Sequence, residues 1–238
     1  MCFSYALATS TSIRFATEAT YPPFESINSQ GEIQGFDIDI AKALCNEMNA
    51  QCHFYHQAFN SLIPSLSLGK YDAVISALGV TEERVKKVAF TQSYYEPSGS
   101  FVGLIKNRYQ LSQIAQQIIG VQSGSTYEHY LKDTYGSSIK MKSYASIQDA
   151  YLDLTASRVN AVLADTEIVQ TWLKSDNHQS TYQIIEHPII NHQYFGAGYA
   201  VAVSKNNTDL LNEFNKALVT IKANGVYNKI VNQYFNHE

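Results

Sequence analysis

The stretch Lys70–Ser76, K-Y-D-A-V-I-S, is answered later in the chain by Arg158–Ala164, R-V-N-A-V-L-A. Both run basic residue, apolar or aromatic residue, Asp or Asn, then Ala-Val and an aliphatic. Short apolar runs bounded by polar residues read as buried strands. Each copy also sits in the same surroundings, with a strand and a helix before it. The repeated phrase therefore predicts two similar units rather than one continuous sheet.

In the first unit, a strand over 13–17 leads to a proline-rich loop. The helix G35-F-D-I-D-I-A-K-A-L-C-N-E-M48 follows, with Ile40, Ala41, Leu44, Cys45 and Met48 on one face and Asp37 as a cap or first-turn acid. Strands over 52–55, 72–76 and 88–91 and a short helix over 60–68 complete it. The second unit begins after F101-V-G-L-I105 and alternates strands 118–121, 139–143 and 159–164 with helices near 126–135, 146–157 and 166–174. Such alternation predicts an α/β architecture with largely parallel sheets. The glycine-rich strand over 196–204 and helices over 207–225 and 226–235 would return to complete the first unit. Two crossings between the units make a hinge. The expected division is 12–97 and 199–238 for one lobe and 98–198 for the other.

A chain of 238 residues, 45% hydrophobic, is long enough for two ordinary lobes. Its formal charge of −4, with lysines and arginines scattered, gives no footprint for nucleic acid. No apolar run approaches the ~20 residues of a membrane-spanning helix. The opening residues, with A6-L-A8 as a small-x-small cleavage site, read over 1–11 as the remnant of an export leader or as a disordered N-terminus. Cys2 near that end would alternatively mark a lipid-modified terminus. Cys45 and Cys52 lack the second pair or spaced histidines of a zinc site. In an exported chain they read as a disulfide, in a cytosolic one as two free thiols.

Open α/β sheets bind ligands beyond the carboxyl ends of their strands. Four segments fall there: Glu18 to Tyr21, Phe59, Ser76 to Arg84, and Gly124 to Thr126 with Asp165 nearby. The loop E18-A-T-Y-P-P-F24 needs its prolines for a turn, but neither its acid nor its rings. In T81-E-E-R84, Thr81 is a good N-cap, whereas an arginine in a first turn opposes the helix dipole and invites an anion. Pairing with Glu82 or Glu83 would account for Arg84 equally simply. Ser125 and Glu128 form a capping-box pattern that leaves amides facing the crevice. Asp165 ends an apolar strand and must either cap the next helix or meet a cation such as an α-ammonium.

Together these charges mirror an α-amino acid with a cationic side chain. Glu18 would meet that side chain, and Tyr21 and Phe59 offer faces on which a planar guanidinium stacks. Arginine satisfies every group, and lysine lacks the flat face. No nucleophile elbow, zincin motif or phosphate loop is present, and His53 and His56 alternate across a strand, so neither catalytic nor cofactor chemistry is indicated.

At these residues the chain resembles the periplasmic solute-binding proteins of ABC transporters for polar amino acids, most closely the arginine-binding members. The matching stretches include 13–26, 35–45, 57–66, 80–84, 120–126, 165–174 and 194–198. The resemblance implies a type II periplasmic binding fold, two α/β lobes joined by hinge strands and closing on one amino acid. It implies a monomer in the periplasm that delivers L-arginine, or lysine, ornithine or histidine, to a membrane permease. It assigns Arg84 and Thr126 to the α-carboxylate, Asp165 to the α-ammonium, and Glu18 to a side chain held between Tyr21 and Phe59. Backbone groups of Ser76 and Ala77 assist, and Gly79, Gln122 and Tyr127 complete the ligand set. A Cys45–Cys52 disulfide also matches relatives. Ala77 and Gly79 stand where relatives have serines, Glu18 where they have aspartate, and Tyr127 where they have glutamine. A dehydratase on the same scaffold and a sensory ligand-binding domain are the alternative functions.

Overall fold

The protein is described here by a computed structural model covering residues 11–107 and 110–235. Residues 1–10, and with them most of the expected leader remnant, lie outside the described residues.

Strand β1 (Ser12–Thr17) is followed by a small antiparallel sheet of β2 (Thr20–Tyr21), β3 (Glu25–Ile27) and β4 (Ile33–Gln34), which the sequence pattern does not reveal. Helix α1 (Phe36–Glu47), β5 (Gln51–His56), α2 (Leu62–Ser67), β6 (Ala73–Val74), α3 (Glu82–Val85) and β7 (Ala89–Phe90) follow. The chain then crosses into a second sheet through β8 (Gly99–Leu104). There it forms β9 (Ile118–Gln122), α4 (Thr126–Tyr135), β10 (Lys140–Tyr144), α5 (Ile147–Thr155), β11 (Ala161–Asp165), α6 (Thr166–Lys174), β12 (Tyr182–Ile184) and α7 (His192–Phe195). Strand β13 (Ala202–Val203) rejoins the first sheet before α8 (Thr208–Ala223) and α9 (Val226–Phe235).

The two sheets have orders β5-β1-β6-β13-β7 and β10-β9-β11-β8-β12. Each keeps three parallel strands, but β13 runs antiparallel to β6 and β7, and β8 antiparallel to β11 and β12. The sheets are therefore more mixed than expected, because the strands that bring the chain across insert against the local direction. The repeated phrase has a shared structural role. Asp72 Oδ2 accepts the Arg14 N–H of β1 at 2.8 Å, and Asn160 Oδ1 accepts the Ile118 N–H of β9 at 2.9 Å. In each lobe the polar residue before Ala-Val ties its strand to the middle one of the three parallel strands.

Helix α1 buries Phe36, Ile40, Ala41, Leu44 and Cys45, while Met48, the last residue of the expected face, caps the helix end and is only half-buried against the same core. Gly35 before it has φ 136°, and a Cβ there would lie 2.2 Å from the Phe24 carbonyl oxygen. Only glycine fits that approach. Phe24, Phe36 and Phe235 pack around one another, with the Phe36 and Phe235 ring centroids 4.7 Å apart, so α9 closes over the start of α1. The second lobe packs Phe101, Ile119, Leu131, Leu163 and Phe195, each essentially unexposed. Burial of each such side chain contributes about 1.5–3 kcal/mol. Cys45 and Cys52 form a disulfide joining the end of α1 to β5. Among the described residues no helix is long and apolar enough to cross a membrane, and no cluster of His, Cys, Asp and Glu could hold a metal.

Candidate functional site

Strand β1 ends in three buried residues and delivers Glu18 into the gap between the sheets, where it is 3% exposed. Its Oε1 accepts the Thr20 hydroxyl at 2.6 Å, and its Oε2 accepts the Gln122 amide at 2.9 Å from the end of β9 in the other lobe. Both donors are neutral, and burial raises the Glu18 pKa above the ordinary carboxyl range. Tyr21, in β2 just after Glu18, is also buried, and burial raises its pKa well above the ordinary range.

Beyond β6 the chain passes Ser76, Ala77 and Gly79 to Arg84. Ser76 Oγ accepts the Glu18 N–H at 3.0 Å. The Ala77 N–H donates inward to Asp37 Oδ2 at 2.6 Å, so this amide is committed to the protein rather than to the cleft. Thr81 caps α3 by accepting the Arg84 N–H at 3.3 Å. Since α3 has only four residues, its dipole is a minor influence on Arg84; burial dominates instead. The guanidinium donates to the Gly79 carbonyl at 2.9 Å and to the Gly124 carbonyl of the facing lobe at 3.1 Å. It lies 5.5 Å over the Phe59 ring. Glu83 pairs with Lys87 at 2.7 Å. Arg84 thus meets carbonyls where the simple surface-pair reading would give it a carboxylate, and burial brings its pKa down to about 10.

From the second lobe, Ser125 caps α4 by accepting the Glu128 N–H at 3.1 Å, while Glu128 reaches back to the Gly124 N–H at 2.9 Å. The capping box is therefore offset by one residue from the expected return bond. Thr126 and Tyr127 follow, both buried. Asp165 ends β11 with no exposed surface. Its Oδ1 caps α6 by accepting the Glu167 N–H at 2.8 Å, and its Oδ2 accepts the Tyr199 hydroxyl at 2.8 Å and the Tyr127 hydroxyl at 3.1 Å. Its capping role is real, yet only neutral groups answer its charge. Burial pushes its pKa up to about 7.

Glu18, Tyr21, Phe59, Ser76, Ala77, Arg84, Gln122, Thr126 and Tyr127 line one inner cavity of about 10 Å³. The other two candidates, Gly79 and Asp165, stand one hydrogen bond behind it, through Arg84 and through the two tyrosine hydroxyls. Ser125, of the expected Gly124 to Thr126 segment, also lines it, and so does Tyr199, which the sequence pattern does not single out. Tyr199 enters because the chain passes within touching distance of Val80 at Gly196, where a Cβ would lie 2.3 Å from a carbonyl oxygen. An aromatic directly after G-A-G was the available signal. A larger cavity of about 370 Å³ shares Phe59, Arg84 and Thr126 with the inner one and opens toward Asn60 and His129. The Phe59 face expected for a ligand is covered here by Arg84. His56, exposed on β5, accepts the Ala19 N–H through Nδ1 at 3.0 Å.

Residues 13–237 match the family model of bacterial extracellular solute-binding proteins, family 3. The ABC transporter arginine-binding protein 1 of Escherichia coli (strain K12) is 42% identical over 233 residues, 98% of this chain and 94% of that protein. The L-arginine-binding protein of Pseudomonas aeruginosa is 35% identical, over 95% of this chain and 88% of its own length. A Salmonella typhimurium periplasmic binding protein whose structure explains high arginine specificity superposes with a TM-score of 0.89 at 36% identity, covering 95% of this chain and all of that one.

Proposed function

The chain belongs to the bacterial extracellular solute-binding proteins, family 3, and from that premise we propose that it captures L-arginine in the periplasm and presents it to an ABC permease. The observation that carries this reading is a set of three charges in the cleft, Glu18 and Asp165 buried and Arg84 half-buried, each answered by neutral partners. Glu18 has hydroxyl and amide donors, Asp165 has two tyrosine hydroxyls and a backbone amide, and Arg84 has two carbonyls. Two negative groups and one positive group complement a ligand with two positive groups and one negative. Arginine is that ligand. Replacing a neutral donor by a full charge strengthens each bond in a site this dry.

In this reading Arg84 and Thr126 take the α-carboxylate, Asp165 the α-ammonium, and Glu18 the guanidinium against Tyr21 and Phe59. The committed Ala77 amide leaves the Ser76–Ala77 segment to act through shape and its remaining backbone groups. The inner cavity is far smaller than an amino acid, so capture requires the lobes to part, Arg84 to leave the Phe59 face and Gln122 to release Glu18. We assign the motion to the two crossings near residues 97–99 and 197–199, where Tyr199 pairs with both Gly79 and Tyr95. Closure around the ligand makes the form that the permease recognises. The relatives are transport binding proteins. No chemical step is assigned to the site, whose acids, Glu18 and Asp165, serve here as counter-charges.

Calorimetric titration tests the ligand. Arginine should bind at least about tenfold more tightly than histidine or glutamine, and equal affinities would refute the specificity.

A further inference from the structure

Two carboxyls behind the cleft have no part in the charge set above. Glu25, on β3, and Asp37, in the first turn of α1, are both fully buried. The donors that reach them are neutral: Ser76 Oγ–H to Glu25 Oε1 at 2.9 Å, and the Ala77 N–H and Tyr94 O–H to Asp37 Oδ2 at 2.6 and 2.9 Å. The remaining oxygens, Glu25 Oε2 and Asp37 Oδ1, have no hydrogen-bond partner among the described residues, and the Asp37 N–H bonds the carbonyl of Phe24, next to Glu25, at 2.9 Å, which holds the two carboxyls side by side behind Ser76 and Ala77.

Two adjoining carboxylates cannot both be ionised in such a place, and two neutral acids would waste the anionic acceptor that the Ala77 amide uses. One proton satisfies every atom. Ser76 donates its one O–H to Glu25 Oε1 at 2.9 Å while its oxygen accepts the Glu18 N–H at 3.0 Å. Asp37 draws two donors and Glu25 one, so the negative charge settles on Asp37 and the proton on Glu25. We propose that Glu25 and Asp37 form a one-proton carboxyl pair that positions the Ser76–Ala77 wall of the cleft, making both of them positioning residues for ligand capture.

The wall needs such a hold. Ala77 sits at φ 42°, a left-handed conformation that costs a residue with a Cβ free energy. Its amide is fixed by Asp37 and its neighbour's hydroxyl by Glu25, so the pair grips the turn from behind on both sides. Burial, then the Asp37 charge, drive the Glu25 pKa well above the ordinary range, in keeping with a retained proton. The titratable groups facing the pair are Glu18 across Ser76 and Tyr94, whose carbonyl accepts the Tyr227 hydroxyl of α9 at 2.5 Å.

The positioning role rests on the arginine-binding reading; the shared proton does not, and the experiment separates them. Glu18 and Asp165 also have raised pKa values, so a bare pH profile would not isolate the pair. Infrared spectra of the ligand-free protein in mildly alkaline buffer should contain a protonated-carboxyl C=O band that Glu25→Gln removes. Glu25→Gln keeps an acceptor for Ser76 and an N–H donor for Asp37, so its arginine affinity should stay within about threefold of the parent. Glu25→Met removes both bonds and should lose about tenfold or more. Absence of the band from the parent overturns the shared proton, even if Glu25→Met fails to fold. A loss in Glu25→Gln as large as in Glu25→Met overturns the positioning role. If the parent binds no arginine, the ligand assignment fails and the infrared result still decides the pair.

Discussion

The Gln122 amide at the end of β9 donates to the Glu18 carboxylate at the end of β1, 2.9 Å across the cleft. Equivalent strand ends of the two lobes thus meet through one neutral donor on one buried acid. A cationic ligand tip has to compete with that amide and gains by bringing a full charge. Glu18→Gln should weaken arginine binding by about 30-fold or more, as expected when one member of a buried charge pair is removed, and fluorescence or calorimetric titration reads it directly. Unchanged affinity would take Glu18 out of the site.

Arg84 is a half-buried cation held by carbonyls, which compensate its lost hydration incompletely. Arg84→Met should therefore abolish measurable arginine binding while changing the unfolding free energy of the ligand-free protein by no more than about 1 kcal/mol. Urea denaturation of both forms checks it. A large stability loss would make Arg84 a structural residue.

The raised carboxyl pKa values give stability and affinity opposite pH dependence. Asp165, held up to about 7 from 3.8, binds its proton more tightly folded than unfolded. Its contribution to stability is thus full below about pH 4 and lost as pH rises toward 7. Asp37, raised to about 6, acts in the same direction over a lower window. A ligand ammonium favours ionised Asp165, so affinity is greatest above pH 7 and declines as pH falls through it. Between about pH 5 and 8 the ligand-free melting temperature should fall while arginine affinity rises. Tyr199→Phe, which removes a donor from the carboxylate, should move the affinity midpoint upward; parallel trends in stability and affinity would contradict the assignment.

Gly35 turns the chain into α1 where no side chain fits. Gly35→Ala should destabilise the protein by more than about 1 kcal/mol, measured by denaturant titration, because φ 136° and the Phe24 carbonyl both oppose a Cβ. Little or no loss would show that the loop yields there.

Much of this architecture is legible in the sequence because periodicity and strand-end position are local signals. The duplicated phrase marks equivalent strands, and its Asp72 and Asn160 make matching bonds to the middle strand of the three parallel strands in each sheet, β1 and β9. Glu18, Arg84 and Thr126 stood out by lying beyond strand ends, and they line the same cavity. What stayed hidden depends on distant approach. The β2–β4 sheet pairs strands of two or three residues, too short for a period. Tyr199 reaches the cleft only because the return strand presses its glycines against residues far away in sequence. Asp37 looked like an ordinary first-turn acid, and only packing shows that its carboxylate points inward to Ala77 and Tyr94. The inward commitment of the Ala77 amide was invisible for the same reason.

The central claim is that three charges in the cleft, those of Glu18, Arg84 and Asp165, read three complementary charges on one small molecule. Calorimetric titration with arginine, citrulline and agmatine at one pH tests it most directly. Citrulline lacks the cationic tip that Glu18 would meet, and agmatine lacks the carboxylate that Arg84 would meet. The account predicts that each binds at least about 100-fold more weakly than arginine. Either analogue binding within about threefold of arginine would contradict it.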